Sequence, residues 1–126
     1  MIEIQEQQWN DFTRYVIIET QDGLIGSVQV ELYPTPQEYG YTAFLYSLWV
    51  NDESRHAGHA KLLIEAAENI ARQHGHESIA LEWWLKDTPI DILKWYLRLG
   101  YEERVFDGHG EYSLLSKPLK GDTKHD

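Results

Sequence analysis

Cysteine is absent from the 126-residue chain, which excludes disulfides, thiolate metal sites and a cysteine nucleophile. Positive charge is scarce: 11 Lys and Arg stand against 21 Asp and Glu, a formal net charge of −10. With no basic stripe to meet a phosphate backbone, nucleic acid is not expected as a partner. No window reaches the length of a membrane span, and the start MIEIQEQQWND lacks the basic-then-apolar pattern of a secretory leader. A soluble, cytoplasmic protein without membrane contact is the expectation. The six histidines show no zinc-ligand spacing, so no metal is expected.

What is present suits one folded unit. The chain is 42% hydrophobic and 13% aromatic, enough for a single core. The domain is read as residues 1–115, followed by a polar, flexible tail at 116–126. The first half reads as strands at 2–7, 13–20, 24–33 and 41–50. Asp22-Gly23 supplies a tight hairpin turn and Pro34-Thr35-Pro36 stops the third strand. The strand at 41–50 is apolar on both faces, as in a central strand covered on two sides. The period then changes. Ala60, Leu63, Ile64, Ala67, Ile70 and Ala71 recur at helical spacing, with Gly75 placed as a C-cap. Residues 78–85 return to a strand. Thr88-Pro89 reads as an N-cap and first helical position, with Asp91 as a relative of the capping box, before a helix ending at Gly100. Residues 101–106 and 111–115 form a closing hairpin around Asp107-Gly108. The order implies an α+β fold: a mixed, mostly antiparallel sheet of six to seven strands with two main helices.

The segment SLWVNDESRHAGHAKLL carries the chemistry. A strand ends at Val50, a polar turn follows, and residues 55–61 lead into the amphipathic helix. A helix start has unpartnered N–H groups and about half a positive charge, so it attracts phosphate. Gly58 lets the main chain come close to a diphosphate, Ala60 is small, and Arg55 and Lys61 add cations to an acidic protein. A P-loop and a dinucleotide fingerprint are both ruled out, because the Lys-Ser/Thr ending and the triple glycine are missing.

Arg55-x-x-Gly58-x-Ala60 resembles the diphosphate loop of the GNAT superfamily of N-acetyltransferases. Trp95-Tyr96-Leu97-Arg98-Leu99-Gly100-Tyr101 resembles that family's second helix end, and one helix and one strand separate the two motifs. The resemblance spans residues 24–115. It implies acetyl-CoA as cosubstrate, no metal, and direct transfer to an amine acceptor. It implies that the strands at 45–50 and 79–84 splay, that pantetheine pairs with the backbone near Leu48, Trp49 and Val50, and that Arg55, His56, Ala57, Gly58, His59, Ala60 and Lys61 hold the diphosphate. Tyr96 falls on the tyrosine that protonates the departing thiolate, and a phenol is neutral and able to donate at working pH. Members usually carry two helices between the first strand and the first hairpin. This chain has no room for them before Thr13, which leaves the acceptor side open or completed by a second subunit. Exposed strand edges would suit a homodimer. The family's Asn before the second helix is replaced by Asp87-Thr88-Pro89.

For the general base, Glu82 stands out as an acidic residue within a hydrophobic strand. Glu31 is second, and a water positioned by Ser47 or Tyr46 is a further route. Trp83 or Trp84 would line an acceptor cleft, the other facing the core. The competing readings are a non-catalytic module of the same fold that binds CoA or a protein, and an interaction domain in which residues 55–60 are only a helix start.

Overall fold

The computed structural model describes residues 1–55, 57–84, 86, 88–106 and 111–119. Its strands are β1 (Ile2–Gln8), β2 (Thr13–Thr20), β3 (Leu24–Leu32), β4 (Ala43–Val50), β5 (Ser78–Trp84), β6 (Glu102–Phe106) and β7 (Tyr112–Pro118), and its helices α1 (His59–Gln73) and α2 (Ile90–Arg98). The strands form one sheet in the order β1-β2-β3-β4-β5-β7-β6. Its pairings are antiparallel except for β4 with β5, which run parallel.

Topology decides where the helices go. β4–α1–β5 is a crossover between parallel strands, and β5–α2–β6 is another, since β5 and β6 both run antiparallel to the intervening β7. Both step the same way along the sheet. Right-handed crossovers therefore place both helices on one face. That face is apolar: Ile17, Val28, Val30, Leu45, Ile79, Leu81 and Leu115 pack against Leu63, Ile64, Ala67 and Ala71 of α1. Leu93, Trp95 and Tyr96 of α2, with Leu99 at its C-cap, complete the layer.

Among the described residues no α-helix covers the opposite face. The expectation that β4 is covered on two sides is corrected accordingly. Phe44 and Tyr46, on the far face, are half-buried by neighbouring rings, with Tyr41–Phe44 and Phe44–Tyr46 centroids 5.1 and 6.0 Å apart. Polar contacts finish the cover. Arg14 bonds to Glu31 at 3.0 Å and lies over the rings of Trp9 and Phe12 at 5.6 and 5.5 Å. β1 is an outer strand exposed along its whole length.

The ends of two elements differ from the sequence reading. Pro89, with extended ψ of 153°, is the N-cap of α2, the helix starts at Ile90, and no side chain caps it. A residue before proline is pushed out of the helical region, so Thr88 is set one position too early to cap. At the other end β7 passes the boundary at 115 and continues through Pro118, and Leu119 is buried at 5% exposure. Its N–H donates to the carbonyl of Glu77 at 2.7 Å, which holds the chain against β5. The Asp107-Gly108 turn and the last residues of the tail lie outside the described residues.

One buried polar network binds the helices to the sheet. Glu68, on the inner side of α1, accepts from Tyr101 Oη at 2.8 Å and from Lys117 Nζ at 3.1 Å. Burial and the facing carboxylate both push the Tyr101 phenol up. Glu68→Ala leaves that hydroxyl and the part-covered ammonium without their partner. The expected loss is about 2–3 kcal/mol, read as a lower urea midpoint at unchanged slope.

Candidate active site

The site begins where β4 leaves β5. Among the described residues the two strands pair only at Phe44 and Ala80. Just beyond, the register between β3 and β4 jumps: Gln29 faces Tyr46, but Ser27 faces Trp49, so an extra residue bulges from β4. Ser47 sits there with φ of 56°, a left-handed conformation that a non-glycine residue adopts at some cost. A bulge bends and twists its strand, and β4 splays from β5 as the family resemblance implies. The β5-facing edge of β4 past Phe44 has no strand partner among the described residues. Between the strands opens a cleft of about 1090 Å³, walled by Leu48 and Val50 on one side and Leu81, Glu82 and Trp84 on the other, with Tyr96 of α2 above.

The cleft ends on the loop before α1. Asn51 shapes it: Oδ1 accepts from the Ser54 N–H and Nδ2 donates to the Leu24 carbonyl, both at 2.8 Å. Arg55 donates from Nε to the Val50 carbonyl at 3.1 Å and pairs with Asp52 at 3.0 Å. Its guanidinium thus braces the loop, as does its N–H, which bonds to the Asp52 carbonyl at 3.5 Å. Gly58 is the N-cap of α1 at φ 85°, and a Cβ added there would meet nothing within 4 Å. The space over the helix start is open, and the first turn holds no acidic residue. Arg55, Gly58, His59, Ala60 and Lys61 all line it. This cradle fits a diphosphate: open N–H groups at the start of α1, basic side chains beside them, and no acidic residue in the first turn.

Other expected contacts stand elsewhere. Trp49 is 45% exposed and off the cleft wall, because the bulge turns it opposite Ser27. Ala57 is exposed and also off the wall. His56 and Asp87 lie outside the described residues. Glycine 26, unremarked in the sequence, sits where a Cβ would be 2.5 Å from the Trp49 carbonyl, so it permits the close approach of β3 to the bulged end of β4. A glycine inside a strand was its available signal.

Tyr96 lines the cleft half-buried, its ring 5.8 Å from that of Tyr101. The Tyr101 N–H bonds to the Tyr96 carbonyl and the Gly100 N–H to that of Leu97, each at 3.1 Å, a Schellman close that fixes the helix end. Burial pushes the Tyr96 phenol up to about 12, so it keeps its proton across the working range. Glu82 is half-buried on the opposite wall and accepts from Trp84 Nε1 at 3.1 Å. Trp84 stacks on Tyr112 at 4.7 Å, while Trp83 is buried.

Glu31 is brought elsewhere. It lies outside the cleft and is held by Tyr33, by Tyr46 at 2.7 Å and by Arg14. Burial alone would raise its pKa, but these three donors outweigh that and lower it. It is a fixed carboxylate that anchors Tyr46, whose phenol is pushed to about 12 by burial and by Glu31. His74 and His76 are tied to Tyr15 and Thr42 at 3.1 and 2.8 Å, holding the end of α1 to the sheet. Among the described residues no three His, Asp or Glu side chains gather as a metal site.

Solved structures share this fold. An acetyltransferase from Bacillus cereus ATCC 14579 superposes with TM-score 0.64 at 23% identity, over 84% of this chain and 73% of that one. The paiA N-acetyltransferase from Thermoplasma acidophilum, in complex with coenzyme A, gives 0.66 at 19%, over 86% and 61%. The ribosomal-protein-S18-alanine N-acetyltransferase from Escherichia coli gives 0.66 at 15%, over 94% and 76%. Identities this low speak to the fold alone. No curated protein matches the sequence. The family model described as Acetyltransferase (GNAT) family matches residues 1–101, from β1 through the cleft and its loop to the end of α2, and the chain belongs to that family.

Proposed function

We propose that the protein is an acetyl-CoA-dependent N-acetyltransferase that transfers acetyl directly to a primary amine of a small molecule or peptide. The observation that carries this is the cleft between the splayed β4 and β5, which joins an open, cationic helix start to a protonated tyrosine.

Acetyl-CoA would supply the activated thioester. The N–H groups at the start of α1 would hold its diphosphate, aided by Lys61. The free edge of β4 at Leu48 and Val50 offers main-chain groups to the pantetheine amides. Tyr96 would give its proton to the departing sulfur, and the carboxylate of Glu82 across the cleft would take one from the amine, directly or through water. The basic residues on the cleft wall, Arg55, His59, Lys61 and Arg98, all belong to the loop and the helices. Glu82, Phe44, Tyr46 and Trp84 line the sheet side. A polyanion at one end and a cationic amine at the other suit that division of charge.

Glu82→Gln tests the acceptor half. The expected result is a fall in kcat/KM for the amine on the order of 10²-fold, with acetyl-CoA binding unchanged. Free thiol released from acetyl-CoA across a panel of primary amines is the readout. Undiminished turnover would remove Glu82 from the mechanism. The uncovered sheet face favours a second reading, a CoA-binding module that docks a partner. Saturable CoA binding with no turnover on any amine would support that one instead.

A further inference from the structure

Glu19 is not used by the mechanism above, yet it is buried at 7% exposure near the end of β2, opposite Gly26 of β3. One carboxylate oxygen, Oε2, lies 2.8 Å from Nδ1 of His59, and the other, Oε1, is buried with no hydrogen-bond partner among the described residues. His59 is the first residue of α1, follows Gly58 directly, lines the cleft, and has 20% of its side chain exposed. The carboxylate engages Nδ1, so Nε2 is the ring nitrogen left for the cleft.

We propose that Glu19 is a positioning residue for the CoA site, fixing the His59 ring so that its Nε2 side meets the CoA diphosphate. This rests on reading the cleft as a CoA site. A buried carboxylate with one oxygen unpartnered costs stability. Its contact with Nδ1 sets the orientation of the ring, and with it which nitrogen faces a ligand.

Isothermal titration of the full chain with CoA at pH ~7 reads the affinity. His59→Gln is expected to weaken CoA on the order of 10-fold, the effect of one hydrogen bond to a charged group. Glu19→Gln should weaken it in the same direction. Pantetheine, which lacks the diphosphate, should bind all three proteins equally, a split that a merely structural role would not produce. Circular dichroism checks that the variants are folded. Wild-type CoA affinity in a folded His59→Gln or Glu19→Gln would overturn the proposal, and so would a wild type that binds CoA no better than pantetheine, even if neither variant folds. A wild type that does not bind CoA would instead remove the CoA reading on which it stands.

Discussion

Tyr96→Phe is expected to lower kcat by 10²–10³-fold, roughly the contribution of a positioned general acid, while leaving the affinity for CoA near that of the wild type. The substitution removes one oxygen and keeps the ring that packs against Tyr101 and Trp95. The helix end is fixed by the Schellman bonds from Gly100 and Tyr101, which are main-chain and survive the change. The pH profile adds a second check. Burial holds the Tyr96 proton up to about 12. A phenol raised in this way is protonated, and competent as an acid, everywhere below that value. Activity should therefore rise with pH as the amine acceptor loses its proton, without a falling limb from Tyr96 between pH ~8 and ~10. In the phenylalanine variant the residual rate should rise likewise, since the missing group did not titrate in that range. Turnover equal to the wild type would mean that solvent or another donor protonates the sulfur, and would leave Tyr96 a packing residue.

The fold was legible where local period and punctuation agree. The 3.6-residue spacing from Ala60 to Ala71 gave α1, the Asp22-Gly23 turn gave the β2–β3 hairpin, and Gly75 and Gly100 marked both helix ends. What stayed hidden depends on contacts far apart in the chain. Glu19 and His59 are separated by 40 positions, and nothing near either predicts the pair. The bulge at Ser47 shows only in the register of β4 against β3, and serine has no preference that announces a left-handed conformation. Glu31 read as a candidate base from its place near a strand end, but Tyr33 two residues on, with Arg14 and Tyr46 from two other strands, claims it. Phe44 and Tyr46 looked like the second face of a doubly covered strand. Aromatic side chains can shade a sheet face by packing on one another, and sequence alone does not distinguish that from a covering helix.

Gly58→Glu is expected to abolish the stabilisation that acetyl-CoA gives the protein. At 100 times its dissociation constant, a ligand bound only by the folded state adds about 2.7 kcal/mol, visible as a saturable rise in Tm. Two costs act in the variant. The backbone at 58 holds φ at 85°, which costs a residue with a Cβ about 1–2 kcal/mol. The new carboxylate would project from a position with nothing within 4 Å, into the space where the helix start faces the cleft. A negative charge there can occupy the open N–H groups itself and repel a diphosphate. Gly58→Ala separates the two costs. It carries the same backbone strain, adds no charge, and its methyl group meets open space, so it should lower Tm modestly and still respond to acetyl-CoA. If both variants lose the response, the conformation of the loop is what binding requires. If only the glutamate variant loses it, the diphosphate sits against residue 58. A glutamate variant that still shows the full saturable shift would place the ligand elsewhere on the molecule and leave the helix start as a structural cap, despite its cations and its open N–H groups.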